Sequence, residues 1–360
     1  MTTDVLIIGG GIAGLSAAAA IAPHAAVTVL EAEDALGYHA SGRSAAMFLK
    51  DYGNDTVRAL NYASVDHHKT ANGGVLSPRG MMMIARAEQR DDFVTEFAAF
   101  GMQEISMTDA HAKIPILNPE TCAYAAYRPD AHDLDADRLL QNYTAEARRA
   151  GAKIIPKSRV TSIRKTATGW DIETDDQIHS ATTLINAAGA WVDEIATLAG
   201  IKPLGFQPYR RSMVRIPAPG GHDTRDWPFL DGVNESWYAK PDAGKWIVSP
   251  SDEDPVDPHD AWADDMVLAE GLARYEEMVS EPVTRLETSW AGLRTFAPDR
   301  ALVIGRDISD SSFFWLGGQG GYGFQTAPAA SRLVADLLTG QTPKLDTKIV
   351  NALSPARFTT

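Results

Sequence analysis

"DVLIIGGGIAGLSAAAAIA", residues 4–22, decides the fold. Val5–Ile8 is an unbroken branched apolar run, suited to a strand buried on both faces. Gly9, Gly11 and Gly14 follow with G-x-G-x-x-G spacing, and an alanine-rich helix opens on them. "AVTVLEAE", residues 26–33, adds a second strand, Val27–Leu30, ending at Glu31. Gly9 permits a tight turn, Gly11 lets the backbone approach a pyrophosphate, and Gly14 lets helix and strand pack closely. The helix start at Ile12 and Ala13 attracts negative charge. Glu31 stands 17 residues past Gly14, where a carboxylate can accept hydrogen bonds from a ribose diol. The unit is therefore expected to hold a dinucleotide, and both NAD and FAD use this arrangement.

The bulk numbers narrow the class. The 360 residues, 44% hydrophobic, are enough for a large core or two communicating cores. A net charge of −14 repels phosphate backbones and anionic headgroups, so nucleic acid is not an expected partner. Cys122 is the single cysteine, which excludes an internal disulfide and fits a reducing compartment, with cytoplasm as the default location. The apolar run Val5–Ala22 is broken by glycines and lacks a basic flank, so neither a signal peptide nor a membrane span is expected.

Other segments repeat the strand–small residue–helix device. "GYHASGRSAAM", residues 37–47, brings small residues and Arg43 past the second strand. "ATTLINAAGAWVDEIATLAG", residues 181–200, turns from a strand on Ala187, Ala188 and Gly189 into a helix. Near the end, strand Phe313–Leu316 runs into "GGQGGYGFQT", residues 317–326, with a helix expected over 326–338. Two such devices at opposite ends of a chain suit an extended cofactor. Between them, residues from Leu204 to about Ser289 alternate in β fashion, with "PDAG" in "SWYAKPDAGKWIVSP" as a turn. "SDEDPVDPHDAWADD" is rich in loop formers and reads as a solvated excursion; Asp257, His259 and Asp260 give only a weak metal pattern, and no metal is expected.

Together the G-G-G-I-A-G unit, the G-R-S-A-A loop, N-A-A-G-A-W, W-A-G-L-R and the final G-Q-G-G-Y-G resemble the D-amino-acid oxidase family of FAD enzymes, most closely the bacterial D-arginine and related D-amino-acid dehydrogenases, over roughly residues 4–340. The resemblance implies an α/β protein with an α+β substrate part. A Rossmann-type FAD-binding domain would be built from 1–75, 135–203 and 290–360. An antiparallel-sheet substrate domain would be built from 76–134 and 204–289. FAD would be held by the first unit with Ala32, by His39, Ser41, Gly42, Arg43, Ser44 and Ala46, by Val160, Ala188, Gly189 and Trp191, and by Gly292 and Arg294. Gly318, Gly320, Gly321, Tyr322, Gly323 and Gln325 complete the set, the last helix aiming its positive end at the flavin, where a side chain at the glycines would collide. Cysteine-linked relatives attach flavin in the C-terminal motifs, far from Cys122, and His39 is only a remote histidyl candidate, so dissociable FAD is expected.

The resemblance also implies the chemistry. A planar guanidinium fork grips both oxygens of a substrate carboxylate, and Arg294 in "WAGLRTF" and Arg211 in "PYRRSMV" match such arginines. Tyr238 in "ESWYAKP" matches a carboxylate-binding tyrosine, Tyr52 a pocket wall, and Gln325 a glutamine near flavin and substrate. The Gly321 carbonyl would accept a hydrogen bond from the substrate amine. D-arginine-active relatives carry a Glu and a His where this chain has Met81, in "LSPRGMMMI", and Met47. The loss of those polar groups implies a neutral, hydrophobic D-amino acid, with D-arginine and D-lysine poor. Secondary-amine oxidation of sarcosine, glycine or proline-type acids, and flavin binding without turnover, stay open. So does the electron acceptor, whether oxygen, quinone or other.

Overall fold

A computed structural model describes residues 2–358. Met1, Thr359 and Thr360, at the ends of the expected cofactor-domain ranges, lie outside the described residues.

The first strand forms as Thr2–Ile8. Its side chains alternate between two cores. Val5 and Ile7 join one cluster, while Leu6 and Ile8 join another on the opposite face. That sandwiching explains the unbroken apolar run. Parallel neighbours are Val27–Leu30 on one side and Ile178–Asn186 on the other. Lys153–Ile155 adds beyond Val27–Leu30, and Phe313–Gly317 adds beside the C-terminal half of Ile178–Asn186. Val303–Arg306 closes that edge antiparallel. Helices Ile12–Ile21, Asp55–Thr70, Ala136–Arg149 and Gly323–Thr339 pack together at this layer. Ligands of such sheets sit past the carboxyl ends of the strands, where the strand order reverses.

Residues 153–163 divide into two strands, the second running on, as Lys153–Ile155 and Val160–Thr166. Pro156 has no N–H for the ladder, and Lys157 takes φ +54°. The last helix starts at Gly323 rather than Thr326, because the glycine lets its backbone lie against Ile12, whose Cγ2 would be 3.3 Å from an added Cβ.

Among the described residues the second sheet has nine strands. Gln207–Ile216 pairs antiparallel with Thr288–Phe296 along its length, and Lys245–Ser249, Tyr238–Asp242 and Phe229–Gly232 extend the sheet. "PDAG" is the expected hairpin turn between Tyr238–Asp242 and Lys245–Ser249. Phe229–Gly232 then pairs in parallel with Met81–Ala85, so the sheet is mixed rather than wholly antiparallel. Strand Thr288–Phe296 stays in this sheet to its end, past the expected boundary at 290. Met82 packs with Leu230 and Trp246 on one face, and Met81 and Met83 join Leu49 and Phe93 on the other, as the two-residue period demands.

Candidate active site

A long groove runs between the layers, and two helix N-termini open onto it. At the first, Gly11, Ile12 and Ala13 line the groove. Gly14 sits behind them because a Cβ there would fall on the carbonyl oxygen of Gly9. The Ile12 N–H donates to Ser41 Oγ (3.0 Å), and no side chain of Gly11 caps the helix. Glu31 faces this end: the N–H of Gly10 donates to its Oε2 (2.7 Å) and that of Glu33 to its Oε1 (2.8 Å). Each oxygen keeps a second lone pair for a diol.

At the second, helix Gly323–Thr339 starts without a side-chain cap, and Gly320, Gly321, Gly323, Phe324 and Gln325 line the groove. Its first amide donors are left for an anionic acceptor. Gly320 takes φ +50° and abuts the Phe296 ring, so no other residue fits there. The turn is held from outside: His68 Nε2 meets the Gln325 carbonyl oxygen at 2.9 Å, and the Ala329 N–H donates to Ser64 Oγ (3.2 Å). This external hold matters because Pro328, inside the helix, has no N–H to give to the ladder.

The walls include Ala32, His39, Ser41, Arg43, Ser44, Ala46, Val160, Ala188, Gly189, Trp191 and Gly292, all expected near the cofactor. Arg43 is committed to protein: its Nη1 donates to the carbonyls of Ala261 (2.7 Å) and Ala291 (3.1 Å), and its Nη2 pairs with Asp260. His39 packs on Trp191 (4.6 Å between rings) and meets Glu33 Oε1 at 3.2 Å. Gly42 and Gly318 do not line the groove; they pack against Gly37 and Phe206. Among the described residues no three acidic, histidine or cysteine side chains are grouped to hold a metal, and Asp260 instead serves Arg43.

A second chamber opens beside the groove and shares Arg211, Arg294 and Gly321 with it. Arg211 is 5% exposed, its Nε has no hydrogen-bond partner, and neither arginine forms an ion pair among the described residues. Burial, followed by the neighbouring Arg294 charge, pushes the Arg211 guanidinium below its usual range. Arg294 lies against Gly321, whose missing Cβ would be 3.2 Å from Cζ. The Tyr238 hydroxyl is buried without a partner and its ring stacks on Phe229 at 5.3 Å, although Tyr238 lines neither cavity. Tyr52 and Tyr322 meet edge to face at 5.3 Å and line the chamber. Gln325 spends its Oε1 on the Leu49 N–H (3.0 Å). Met47 lines the groove, whereas Met81 is packed in the core layer that includes Met47 and Tyr52. Glu235, Glu96 and Asn234 also line the chamber; no motif marks them, since Glu96 lies in helix Arg90–Ala99 and Asn234 and Glu235 in the turn after Phe229–Gly232.

Two helix starts opening onto one groove, with the Glu31 carboxylate beside the first, define an oxidoreductase scaffold for a long dinucleotide. The chain belongs to the DAO family of FAD-dependent oxidoreductases, whose profile matches residues 4–337. Human mitochondrial dimethylglycine dehydrogenase is 22% identical over 99% of this chain and 44% of its own length. The HcnC subunit of hydrogen cyanide synthase from Pseudomonas aeruginosa is 25% identical over 60% of this chain and 51% of its own. The chain thus spans about half the length of these curated relatives. Glycine oxidase from Geobacillus kaustophilus superposes with a TM-score of 0.84 at 22% identity, covering 98% of both chains. L-proline dehydrogenase from P. horikoshii gives a TM-score of 0.84 at 21% identity, covering 99% of this chain and 98% of that one. The fold is the FAD-binding α/β fold of this family, and the cofactor is FAD. No described helix is long and apolar enough to cross a membrane.

Proposed function

We propose that this chain oxidises the Cα–N bond of an amino acid, a D-amino acid on the family resemblance, giving an imino acid that water hydrolyses to a 2-oxo acid and ammonia. The observation that carries this reading is the Arg211–Arg294 pair, Arg211 buried and Arg294 half-buried, neither in an ion pair among the described residues, where groove and chamber meet. A net-acidic protein has little reason to concentrate two unpaired guanidiniums except to receive an anion. FAD, when bound, supplies a two-electron acceptor for hydride. The side chains do the rest by positioning. Arg211 and Arg294 grip the carboxylate, while Tyr238, the expected third donor, lies outside both cavities. The Gly321 carbonyl accepts an N–H of the amine and fixes the rotation about Cα. The amine enters neutral, so as hydride leaves Cα its lone pair closes the C=N bond and the nitrogen then releases a proton. Segments 1–75, 135–203 and 290–360 serve the cofactor in this reading, except that 290–296 belong to the substrate sheet, with 76–134 and 204–289.

A second reading is secondary-amine oxidation. Relatives named for dimethylglycine, glycine and proline favour it, and the arginine pair would suit those acids equally. Anaerobic mixing of the FAD-loaded protein with both enantiomers of neutral amino acids, with glycine and with sarcosine decides between them. Bleaching by D-amino acids supports the first reading and bleaching by sarcosine the second. Bleaching by none leaves flavin binding without turnover. Repeating the panel in air identifies oxygen as acceptor if colour returns.

A further inference from the structure

Residues 49–54 join strand Met47–Phe48 to helix Asp55–Thr70 without regular structure of their own. Both cavities nevertheless depend on them. Tyr52 lines the chamber, and the Leu49 N–H donates to Oε1 of Gln325, which lines the groove (3.0 Å). Within the turn, the backbone bond runs from the Tyr52 N–H to the Leu49 carbonyl (3.1 Å). A single bond of that kind does not fix six residues in one place.

Asn61, in the second turn of helix Asp55–Thr70, supplies the missing hold. It is fully buried, and its Nδ2 donates to the Tyr52 carbonyl (3.1 Å) and to the Leu49 carbonyl (3.4 Å). Both neighbours are acceptors, so the amide has to turn its nitrogen toward them. The other end goes without: Oδ1 is buried and has no hydrogen-bond partner. For stability the arrangement is close to even, since two carbonyls are satisfied and one buried acceptor is orphaned. What the residue adds is placement. The Leu49 peptide is gripped on both sides, by Asn61 at its carbonyl and by Gln325 at its N–H. On the outer side of the turn Asp51 pairs with Arg128 (2.8 Å), so loss of Asn61 would shift the turn rather than release it.

We propose that Asn61 is a positioning residue: one buried amide sets Tyr52 at the chamber and, through the Leu49 peptide, Gln325 at the groove, and so keeps the substrate wall and the flavin wall in register. Asn61 lines neither cavity, and its influence passes entirely through those two peptide groups. The proposal is the same for a primary or a secondary amine substrate.

The test uses Asn61→Leu and Asn61→Asp in the FAD-loaded protein. Leucine has no donor, whereas a carboxyl buried there is held protonated and can donate to one of the two carbonyls. Hydrogen–deuterium exchange over residues 49–52 reads the turn directly. In Asn61→Leu the Leu49 and Tyr52 amides are expected to exchange about tenfold faster or more, with Asn61→Asp in between. The melting temperature should change little, because removing Oδ1 offsets uncovering the Tyr52 carbonyl. The limiting rate of anaerobic flavin bleaching by substrate should follow the same order, falling about tenfold in Asn61→Leu. Unchanged exchange at Leu49 and Tyr52 overturns the proposal. Faster exchange throughout the chain with a lower melting temperature also overturns it, since Asn61 is then a packing residue. A loosened turn with unaltered bleaching rate and KM does so as well. Should Asn61→Leu fail to fold, Asn61→Asp decides by the same measurements. If no amino acid, glycine or sarcosine bleaches the unaltered protein, the oxidation reading fails, while exchange still decides whether Asn61 sets the turn.

Discussion

Arg211 is a residue whose place makes sense only with a ligand. It sits in strand Gln207–Ile216, 5% exposed, with an unpartnered Nε and a like charge beside it. Such a group costs folding energy that substrate returns. Arg211→Met is therefore expected to raise the melting temperature of the substrate-free protein, by roughly 1 kcal/mol of stability. The same change should raise KM for the amino acid on the order of a hundredfold. Calorimetry without substrate, alongside steady-state kinetics, checks both; a fall in melting temperature would show that Arg211 is structural. The arginines could be found in sequence because "PYRRSMV" and "WAGLRTF" carry a family pattern. Glu235 and Glu96 could not: they come from separate turns and helices, and only the Asn234 N–H joins them. Met81 shows the limit from the other side, since its strand period was readable but the side chain's depth behind Met47 and Tyr52 was not.

Among the elements, the first turn of helix Gly323–Thr339 carries the most constraint. Its start abuts helix Ile12–Ile21, and its polar groups are tied to His68 and Ser64 on helix Asp55–Thr70. His68 is fully buried and stays neutral: burial lowers its pKa from 6.5 to about 4. The unfolded chain therefore takes up a proton first as pH falls. The contribution is complete above pH 6.5 and is lost progressively between 6.5 and about 4, up to about 3 kcal/mol. Urea unfolding at pH 7.5 and 4.5 should show a smaller acid loss in His68→Gln than in the unaltered protein. An unchanged difference would remove His68 from the account. Strand and glycine punctuation made the helix readable in "GGQGGYGFQT", but its start fell three residues early because a glycine pair usually signals a loop. The contact with Ile12 that overrides this is tertiary.

At the scale of the molecule, two sheets enclose one groove, and a clasp joins them. Arg43, beside the first sheet's second strand, reaches Asp260 and the Ala261 carbonyl in the excursion from the second sheet. The side chain of Asp260 is more than half exposed, so the pair is screened. Asp260→Ala is expected to raise the Kd for FAD about two- to fivefold, about 1 kcal/mol or less, with little change in the cofactor-free melting temperature. Flavin fluorescence titration measures it, and an unaltered Kd would reduce the clasp to a surface contact. The parallel sheet also sets an order of assembly. Its central neighbours arrive from residues 2–8, 27–30, 178–186 and 313–317, so a ribosome must deliver everything from the first strand through residue 317 before the flavin's last wall exists. Until then the face of strand Thr2–Ile8 that carries Val5 and Ile7 lacks Phe314 and Leu316, and the flavin's full cradle forms only once synthesis has passed them.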